Sequence, residues 1–310
     1  MDNRGAWLAT ARIVEERLPE QTEGHPSFAA FADAMRVLSS AGIPFAIGGS
    51  FAFHYYTRFP ATTKDLDLFL FERDVPRAVR ELGAASYDSK VMQEHWLAKA
   101  RRDGFTVDLI YGSSNFWASV DERWLARARP VRMLGVDSHV IPLEELIWSK
   151  SYVMARERFD GADVAHLLLL QGAKIDWRRL VRLFDVHTEL LLAHLLLFRF
   201  FYPAARELVP RRVLRSLIKR ATDPSDADGL PFRGPLVDPY SFLFDVRAGL
   251  FLDPRDKLAE RRGFPPALAA ALREHDAHLL LTGQAPGRGS IPIAGTITTD
   301  PDLDVTDTVH

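Results

Sequence analysis

The sequence is constrained most strongly by two short apolar segments at residues 44–47 and 66–71, which have the length and composition of buried β-strands. The first runs directly into a Gly-Gly-Ser turn, and a stretch of helix length separates it from the second. The second follows directly on an Asp-x-Asp pair. A turn that can approach phosphates and two carboxylates that can hold a cation are thus carried on neighbouring parts of the chain. This layout is suited to placing a nucleoside triphosphate (NTP) over a divalent metal ion.

The Asp-x-Asp pair is the expected metal site. Because side chains alternate across a strand, Asp65 and Asp67 point to the same side, where their charges repel each other unless a cation lies between them. Their hard oxygen ligands suit Mg²⁺ or Mn²⁺, with substrate phosphates completing the coordination. Asp108, in the apolar segment 105–111, is the candidate third carboxylate for two metals, since an unpaired aspartate is costly there. The alternative is that Asp108 lies on an edge strand and faces solvent.

The glycine turn is the expected phosphate-binding element. Gly48 and Gly49 carry no Cβ, so their backbone amides can approach a phosphate closely. A helix that starts near Ser50 would direct its N-terminus at the same anion. Lys64, next to the carboxylate pair, is a further candidate for a nucleotide contact. Each motif is weak alone, and the simplest alternative is a sheet with a glycine turn and exposed aspartates.

Together these motifs resemble those of the polymerase-β-like nucleotidyltransferase superfamily. The residues that carry the resemblance are Gly48, Gly49, Ser50, Asp65, Asp67 and Asp108. Within that superfamily the sequence is most similar to the AbiEii/MenT-like bacterial nucleotidyltransferases, which are toxins of toxin–antitoxin pairs, over residues 40–172. The resemblance implies that an NTP binds at the glycine turn and that the three carboxylates hold the metal ions.

The resemblance also implies a helix lysine followed by an arginine and two aspartates. The chain offers Lys150, Arg156, Asp160 and Asp163 at these positions, with Lys150 and Asp160 as catalytic candidates and Asp163 as a nucleotide contact. Lys150 falls within the apolar stripe of its predicted helix, so it either extends to solvent or meets an anion such as the triphosphate. Asp160 and Asp163 have an equally good alternative as the N-cap and first-turn acid of the next helix.

Composition limits the class of protein. The chain has 310 residues, of which 47% are hydrophobic and 26% charged, as in globular proteins with a sizeable core. It has no cysteine, which excludes disulfides, thiolate metal sites and cysteine nucleophiles. The net charge is −2, so any contact with nucleic acid depends on a local basic patch. The basic segment 211–220 is the best candidate for such a patch. The simpler interpretation of this segment is a solvated amphipathic helix. Without a signal-like N-terminus or a membrane-length apolar run, we expect a cytoplasmic protein with no membrane partner.

The predicted fold class is α+β, with a mixed sheet of the nucleotidyltransferase fold flanked by helices and followed by an all-helical C-terminal domain. We expect an N-terminal extension at 1–26, the nucleotidyltransferase domain at 27–141, the helical domain at 142–282 and a disordered tail at 283–310. An Asp-Gly turn at 103–104 predicts an antiparallel hairpin between strands at 95–101 and 105–111. One helix is predicted to run over residues 143–158 and carry Lys150.

The sequence therefore predicts a metal-dependent nucleotidyltransferase that moves a nucleoside monophosphate from an NTP such as ATP to an acceptor hydroxyl and releases pyrophosphate. By resemblance, the favoured acceptor is RNA, such as a tRNA 3′ end, and the protein would be a toxin with an antitoxin protein as partner. The alternatives are an antibiotic or protein nucleotidyltransferase, or a nucleotide-binding module without turnover.

Overall fold

A computed structural model describes residues 26–59, 63, 65–156, 158–223 and 229–282. Its strands are β1 (Phe45–Ile47), β2 (Asp65–Leu70), β3 (Asp88–Gln93), β4 (Leu97–Arg102), β5 (Phe105–Ile110), β6 (Arg129–Met133), β7 (Val136–Val140), β8 (Met154–Ala155) and β9 (Arg158–Phe159). Its α-helices are α1 (Pro26–Ser40), α2 (Gly49–Thr57), α3 (Val75–Ala84), α4 (Glu122–Leu125), α5 (Leu143–Ser151), α6 (Gly161–Gln171), α7 (Trp177–Phe184), α8 (Thr188–Phe201), α9 (Arg211–Ala221), α10 (Leu243–Arg247), α11 (Pro254–Arg261) and α12 (Pro266–Leu281).

A mixed sheet of seven strands organises the N-terminal half, in the order β3-β4-β5-β2-β1-β7-β6. The strand that carries the Asp-x-Asp pair, β2, is central, because it pairs antiparallel with β1 and parallel with β5. The predicted hairpin is confirmed as β4 and β5. Asp103 and Gly104, at its turn, both have positive φ angles, +54° and +80°, as the tight turns of hairpins require.

One apolar core joins the sheet to the helices that follow it. Leu66 and Leu68 of β2 are fully buried, and the same core includes Ile147 on α5, Leu168 on α6 and Leu217 on α9. The core is therefore continuous across residue 142, and the division into two domains at that point stays a prediction. A second, smaller core gathers side chains near the C-terminus around Phe116; these are Leu230, Leu236, Leu258, Ala259, Ala269 and Leu272.

The helix predicted over 143–158 is wrong in its second half. The helix ends at Ser151, and β8 and β9 then form a short antiparallel hairpin. A backbone bond from Asp160 N to Val153 O at 3.0 Å extends the pairing at the open end of the hairpin. Apolar spacing did not reveal this break, because Val153 and Met154 continue the stripe of the helix while belonging to extended chain. Apart from this hairpin, the described part of the chain after residue 142 is helical.

Three further elements, β3, α4 and α11, were not predicted. The edge strand β3 is mostly exposed and polar, so it lacks the apolar alternation that identifies a half-buried strand. The helices α4 and α11 are short, with four and eight residues. Within the described ranges, no helix combines the length and the apolar character that a bilayer span requires. The predicted N-terminal extension up to residue 25, the predicted tail and Lys64 lie outside the described residues.

Candidate active site

The predicted carboxylates lie together at one cleft of about 670 Å³. Asp65 and Asp67 project from the same face of β2, and both are partly exposed. The parallel register of β2 and β5 pairs Asp67 with Asp108, so the third carboxylate stands directly beside the first two. Asp108 is on an interior strand between β4 and β2, which removes the alternative of a solvent-facing edge position. Thr63 Oγ1 donates to an oxygen of Asp65 at 2.7 Å and orients that side chain.

A lysine that the sequence patterns did not reveal completes this group. Lys99 on β4 pairs with Asp108 in the antiparallel register of the hairpin. Its Nζ donates to both carboxylate oxygens of Asp108 at 2.8 Å. The signal was available, because the predicted Asp-Gly turn determines which residues of the two strands stand opposite each other.

The electrostatics of the carboxylates fit a bound cation. Burial, together with the charges of Asp65 and Asp108, raises the pKa of Asp67 to about 7. Burial also raises the pKa of Asp108, although Lys99 opposes this shift. Among the residues that the structure describes, no three Asp, Glu or His side chains are arranged as a ready metal cluster. The donor set thus fits a cation at Asp65 and Asp67, whereas both oxygens of Asp108 are held by Lys99.

The glycine turn lies directly against the carboxylate strand. Gly48 N donates to the backbone oxygen of Asp67 at 2.9 Å. Gly49 has a φ of +53°, and a Cβ there would lie 1.7 Å from Asp67 Oδ2. A Cβ on Gly48 would lie 2.2 Å from the ring of Phe69. Both positions therefore require glycine. The N-terminus of α2, including Ser50, opens onto the same cleft.

A second charged group lines the same cleft. Lys150, in the last turn of α5, is buried, and its Nζ donates to Asp160 Oδ2 at 3.0 Å and Asp163 Oδ2 at 2.6 Å. Lys150 therefore meets an anion of the protein and does not extend to solvent. Asp160 occupies the N-cap position of α6, but its side chain makes no capping hydrogen bond there. The carboxylate of Asp160 therefore forms an ion pair with Lys150 and does not cap the helix.

Arg158 on β9 is a further charged residue of the cleft that the sequence patterns did not reveal. Its Nε lies 3.4 Å from Asp160 Oδ1, and its positive charge opposes the rise in the pKa of Asp67. Arg156, the arginine that the resemblance indicated, is not among the residues that line the cleft. The β8–β9 hairpin explains why Arg158 lines the cleft and Arg156 does not, because a continuous helix would have pointed these two side chains in other directions.

The charge balance of the cleft is acidic. Its lining includes five carboxylates, Asp65, Asp67, Asp108, Asp160 and Asp163, and two basic side chains, Lys150 and Arg158. A polyphosphate has the same sign of charge as this lining. Its binding in the cleft therefore requires cations that come with it.

The C-terminal region reaches the cleft through Leu236. Asn115 Nδ2 donates to the backbone oxygen of Leu236 at 2.9 Å, and both residues line the cleft.

A family model described as "Nucleotidyl transferase of unknown function (DUF2204)" matches residues 27–189, which include all five carboxylates of the cleft. The chain belongs to this family. The family match confirms the predicted superfamily and the predicted class of enzyme, and the AbiEii/MenT-like subgroup stays a prediction.

Solved structures of distant nucleotidyltransferases are also similar to this chain. The solution structure of the antibiotic-resistance factor ANT(2'')-Ia is 12% identical, with a TM-score of 0.37 over 57% of this chain and 94% of that chain. The lincosamide antibiotic adenylyltransferase LnuA, bound to lincomycin, is 10% identical, with a TM-score of 0.35 over 46% and 96%. An antigenic nucleotidyltransferase-like protein from Paracoccidioides brasiliensis is 17% identical, with a TM-score of 0.37 over 58% and 92%. No curated protein sequence matches the chain.

Proposed function

We propose that this nucleotidyl transferase moves a nucleoside monophosphate from an NTP to an acceptor hydroxyl and releases pyrophosphate, with Asp65 and Asp67 as ligands of a divalent cation. The observation that carries the proposal is the register of β2 and β5, which aligns Asp67 with Asp108 at a cleft whose other border is the glycine turn. When bound, Mg²⁺ or Mn²⁺ would supply the positive charge that a triphosphate needs in this acidic cleft.

The protein groups then have separate tasks. The amides of Gly49 and Ser50, at the N-terminus of α2, approach the phosphates, since no Cβ obstructs Gly49 and the amide of Gly48 is already bonded to the backbone oxygen of Asp67. Asp108 positions the acceptor hydroxyl and accepts its proton, a task that suits a carboxyl whose pKa is raised by burial. Lys150 holds Asp160 and Asp163 in place in the cleft lining, and Asp163, the more exposed of the two, is the one available to a nucleotide.

We favour RNA, such as a tRNA 3′ end, as the acceptor, and a toxin role with an antitoxin partner, because the motifs resemble the AbiEii/MenT-like proteins. The exposed side chains of Arg211, Arg215 and Lys219 along α9 support this choice, since a row of basic residues suits a phosphate backbone. An antibiotic acceptor is the second candidate. One solved structure of ANT(2'')-Ia contains adenylyl-2''-tobramycin, but with a TM-score of 0.36 and 12% identity it identifies no acceptor for this chain.

The test is incubation of the purified protein with each α-labelled NTP, Mg²⁺ and total RNA. We expect labelled RNA and pyrophosphate from the wild type, and a loss of at least about a hundredfold in D65A and D67A. D88A, which removes an exposed aspartate of β3, is the matched control and should keep full activity. Labelling that persists in both D65A and D67A contradicts the mechanism.

Parallel incubations separate the acceptors. Label that resists ribonuclease but not protease indicates a protein acceptor, and label transferred to an added aminoglycoside or lincosamide indicates an antibiotic acceptor. Binding of NTP without pyrophosphate release from any acceptor indicates a module without turnover. In cells, a toxin slows growth on expression, whereas an antibiotic-modifying enzyme raises resistance.

A further inference from the structure

The lining of the cleft changes from acidic to apolar over two residues along its strands. On β2 the face that carries Asp65 and Asp67 continues to Phe69, and on β5 the face that carries Asp108 continues to Ile110. Two residues of strand span about 7 Å. An acidic end and an apolar end therefore adjoin each other in one continuous cleft, about the span of a ribose apart.

Aromatic rings form the wall of the apolar end. Phe69 stacks on Trp124, with ring centroids 5.5 Å apart and planes at 19°. Trp124 meets Trp148 edge-on at 6.0 Å, and Trp148 contacts Tyr152 at 5.0 Å. All four residues line the cleft. Rings fixed in this way lose little further conformational entropy when another flat ring packs against them.

Two polar atoms of the cleft lining lack a hydrogen-bond partner among the residues that the structure describes. The indole Nε1–H groups of Trp96 and Trp148 are buried and lack a hydrogen-bond acceptor within the described ranges. Both residues line the cleft, and Trp148 is 5% exposed. A buried indole N–H normally finds an acceptor, and it can only donate. The ligand of this end should therefore be flat, apolar on its faces and equipped with hydrogen-bond acceptors on its edge.

We propose that the aromatic end is the binding site for the base of the NTP, which stacks on the Trp124 and Trp148 wall and accepts hydrogen bonds from Trp96 Nε1 and Trp148 Nε1. Every nucleobase has a flat face and carries ring nitrogens or carbonyls as acceptors. The orientation of the NTP along the cleft rests on the proposed function. With the phosphates at the acidic end, the base of the same molecule lies at the aromatic end. The base of an RNA acceptor is the competing occupant.

The test measures binding and does not depend on turnover. Dissociation constants are determined with Mg²⁺ for α,β-methylene analogues of the four NTPs and for inorganic triphosphate, which has no base. W148F and W96F keep an aromatic ring and remove the N–H donor, whereas W148L removes the ring. W177F, on α7 and outside the cleft lining, is the matched control. Thermal unfolding verifies that each variant folds. If W148F does not fold, W96F alone provides the test of the N–H donor.

We expect W148F and W96F each to weaken binding of at least one NTP analogue by about three- to tenfold. W148L should weaken it by about tenfold or more through lost stacking. None of the three should change the affinity for inorganic triphosphate, and W177F should change neither. Unchanged affinities in W148F, W96F and W148L overturn the proposal while the proposed function stands.

Two other results also decide the question. If the variants leave NTP affinity unchanged but raise the KM for acceptor RNA, the aromatic end belongs to the acceptor and the proposal is overturned. If the wild type binds neither NTP analogues nor triphosphate, the proposed function itself fails.

Discussion

Lys99 on β4 stands opposite Asp108 on β5, and its Nζ donates to both oxygens of that carboxylate at 2.8 Å. Asp108 in turn stands beside Asp67 on β2. Lys99 is thus an internal counter-ion for a group of three carboxylates that repel one another. A divalent cation with Asp108 among its ligands must compete with this ammonium group.

Substitution of this lysine should couple stability to metal. In K99M the Asp108 carboxylate keeps its partly buried position without a counter-ion, so we expect the metal-free protein to lose about 1–3 kcal/mol of unfolding free energy. Added Mg²⁺ should restore more stability to K99M than it adds to the wild type. Thermal unfolding with and without Mg²⁺ measures this, with K174M, at an exposed lysine beyond α6, as control. Equal Mg²⁺ effects in wild type and K99M would show that Lys99 and the cation do not compete.

The contact between Gly49 and Asp67 predicts that substitution of Gly49 costs more stability than its positive φ angle alone would cause. G49A introduces a Cβ at a φ of +53° and within 1.7 Å of Asp67 Oδ2, so it should both destabilise the protein and abolish transfer. G42A is the matched control, because Gly42 has a φ of +64° and a Cβ there would have nothing within 4 Å. We expect about 1 kcal/mol for G42A, from strain alone, and clearly more for G49A. Chemical denaturation gives both values, and equal losses would contradict the contact.

The Lys150 cluster allows the capping and ion-pair roles of Asp160 to be separated. Serine caps a helix about as well as aspartate, so a capping role predicts that D160S is nearly neutral. The ion pair predicts instead that D160S costs about 1–3 kcal/mol, because Lys150 is buried and loses a charged partner. D163N should cost less, since the Asp163 side chain is 35% exposed and that of Asp160 only 13%. Urea denaturation of the two variants decides between the roles.

His95 predicts a loss of stability in acid. Burial lowers its pKa to about 4, and its ring stacks on Phe116 at 3.8 Å. In the unfolded chain the same histidine takes up a proton near pH 6.5, so the folded state is favoured above that pH and loses this advantage as pH falls from about 6.5 to 4. The loss amounts to about 3 kcal/mol. H95F should flatten the dependence of unfolding free energy on pH in this window, whereas H139Q, at an exposed histidine, should leave it unchanged.

Local patterns were sufficient for the parts of the site that lie on regular strands. The spacing of Asp65 and Asp67 predicted a shared face, and the Asp-Gly turn predicted the β4–β5 hairpin, because both follow from the period of a strand and the geometry of a tight turn. The same patterns failed at residues 152–159. There a short hairpin continues the apolar spacing of α5, and Arg158 rather than Arg156 consequently reaches the cleft.

By itself, the sequence determined which chemistry was available, since the Gly-Gly-Ser turn, the Asp-x-Asp pair and Asp108 predict phosphate and metal binding by residue type and period. Tertiary structure decided which charges meet. Lys99 with Asp108, and Lys150 with Asp160 and Asp163, are pairs set by strand register and helix packing. The aromatic end of the cleft likewise gathers rings from distant segments, Phe69, Trp96, Trp124, Trp148 and Tyr152. The register of the hairpin brings Lys99 to Asp108, but no local pattern contains the Lys150 pairs or the aromatic contacts, because those form only when separate elements pack on a common core.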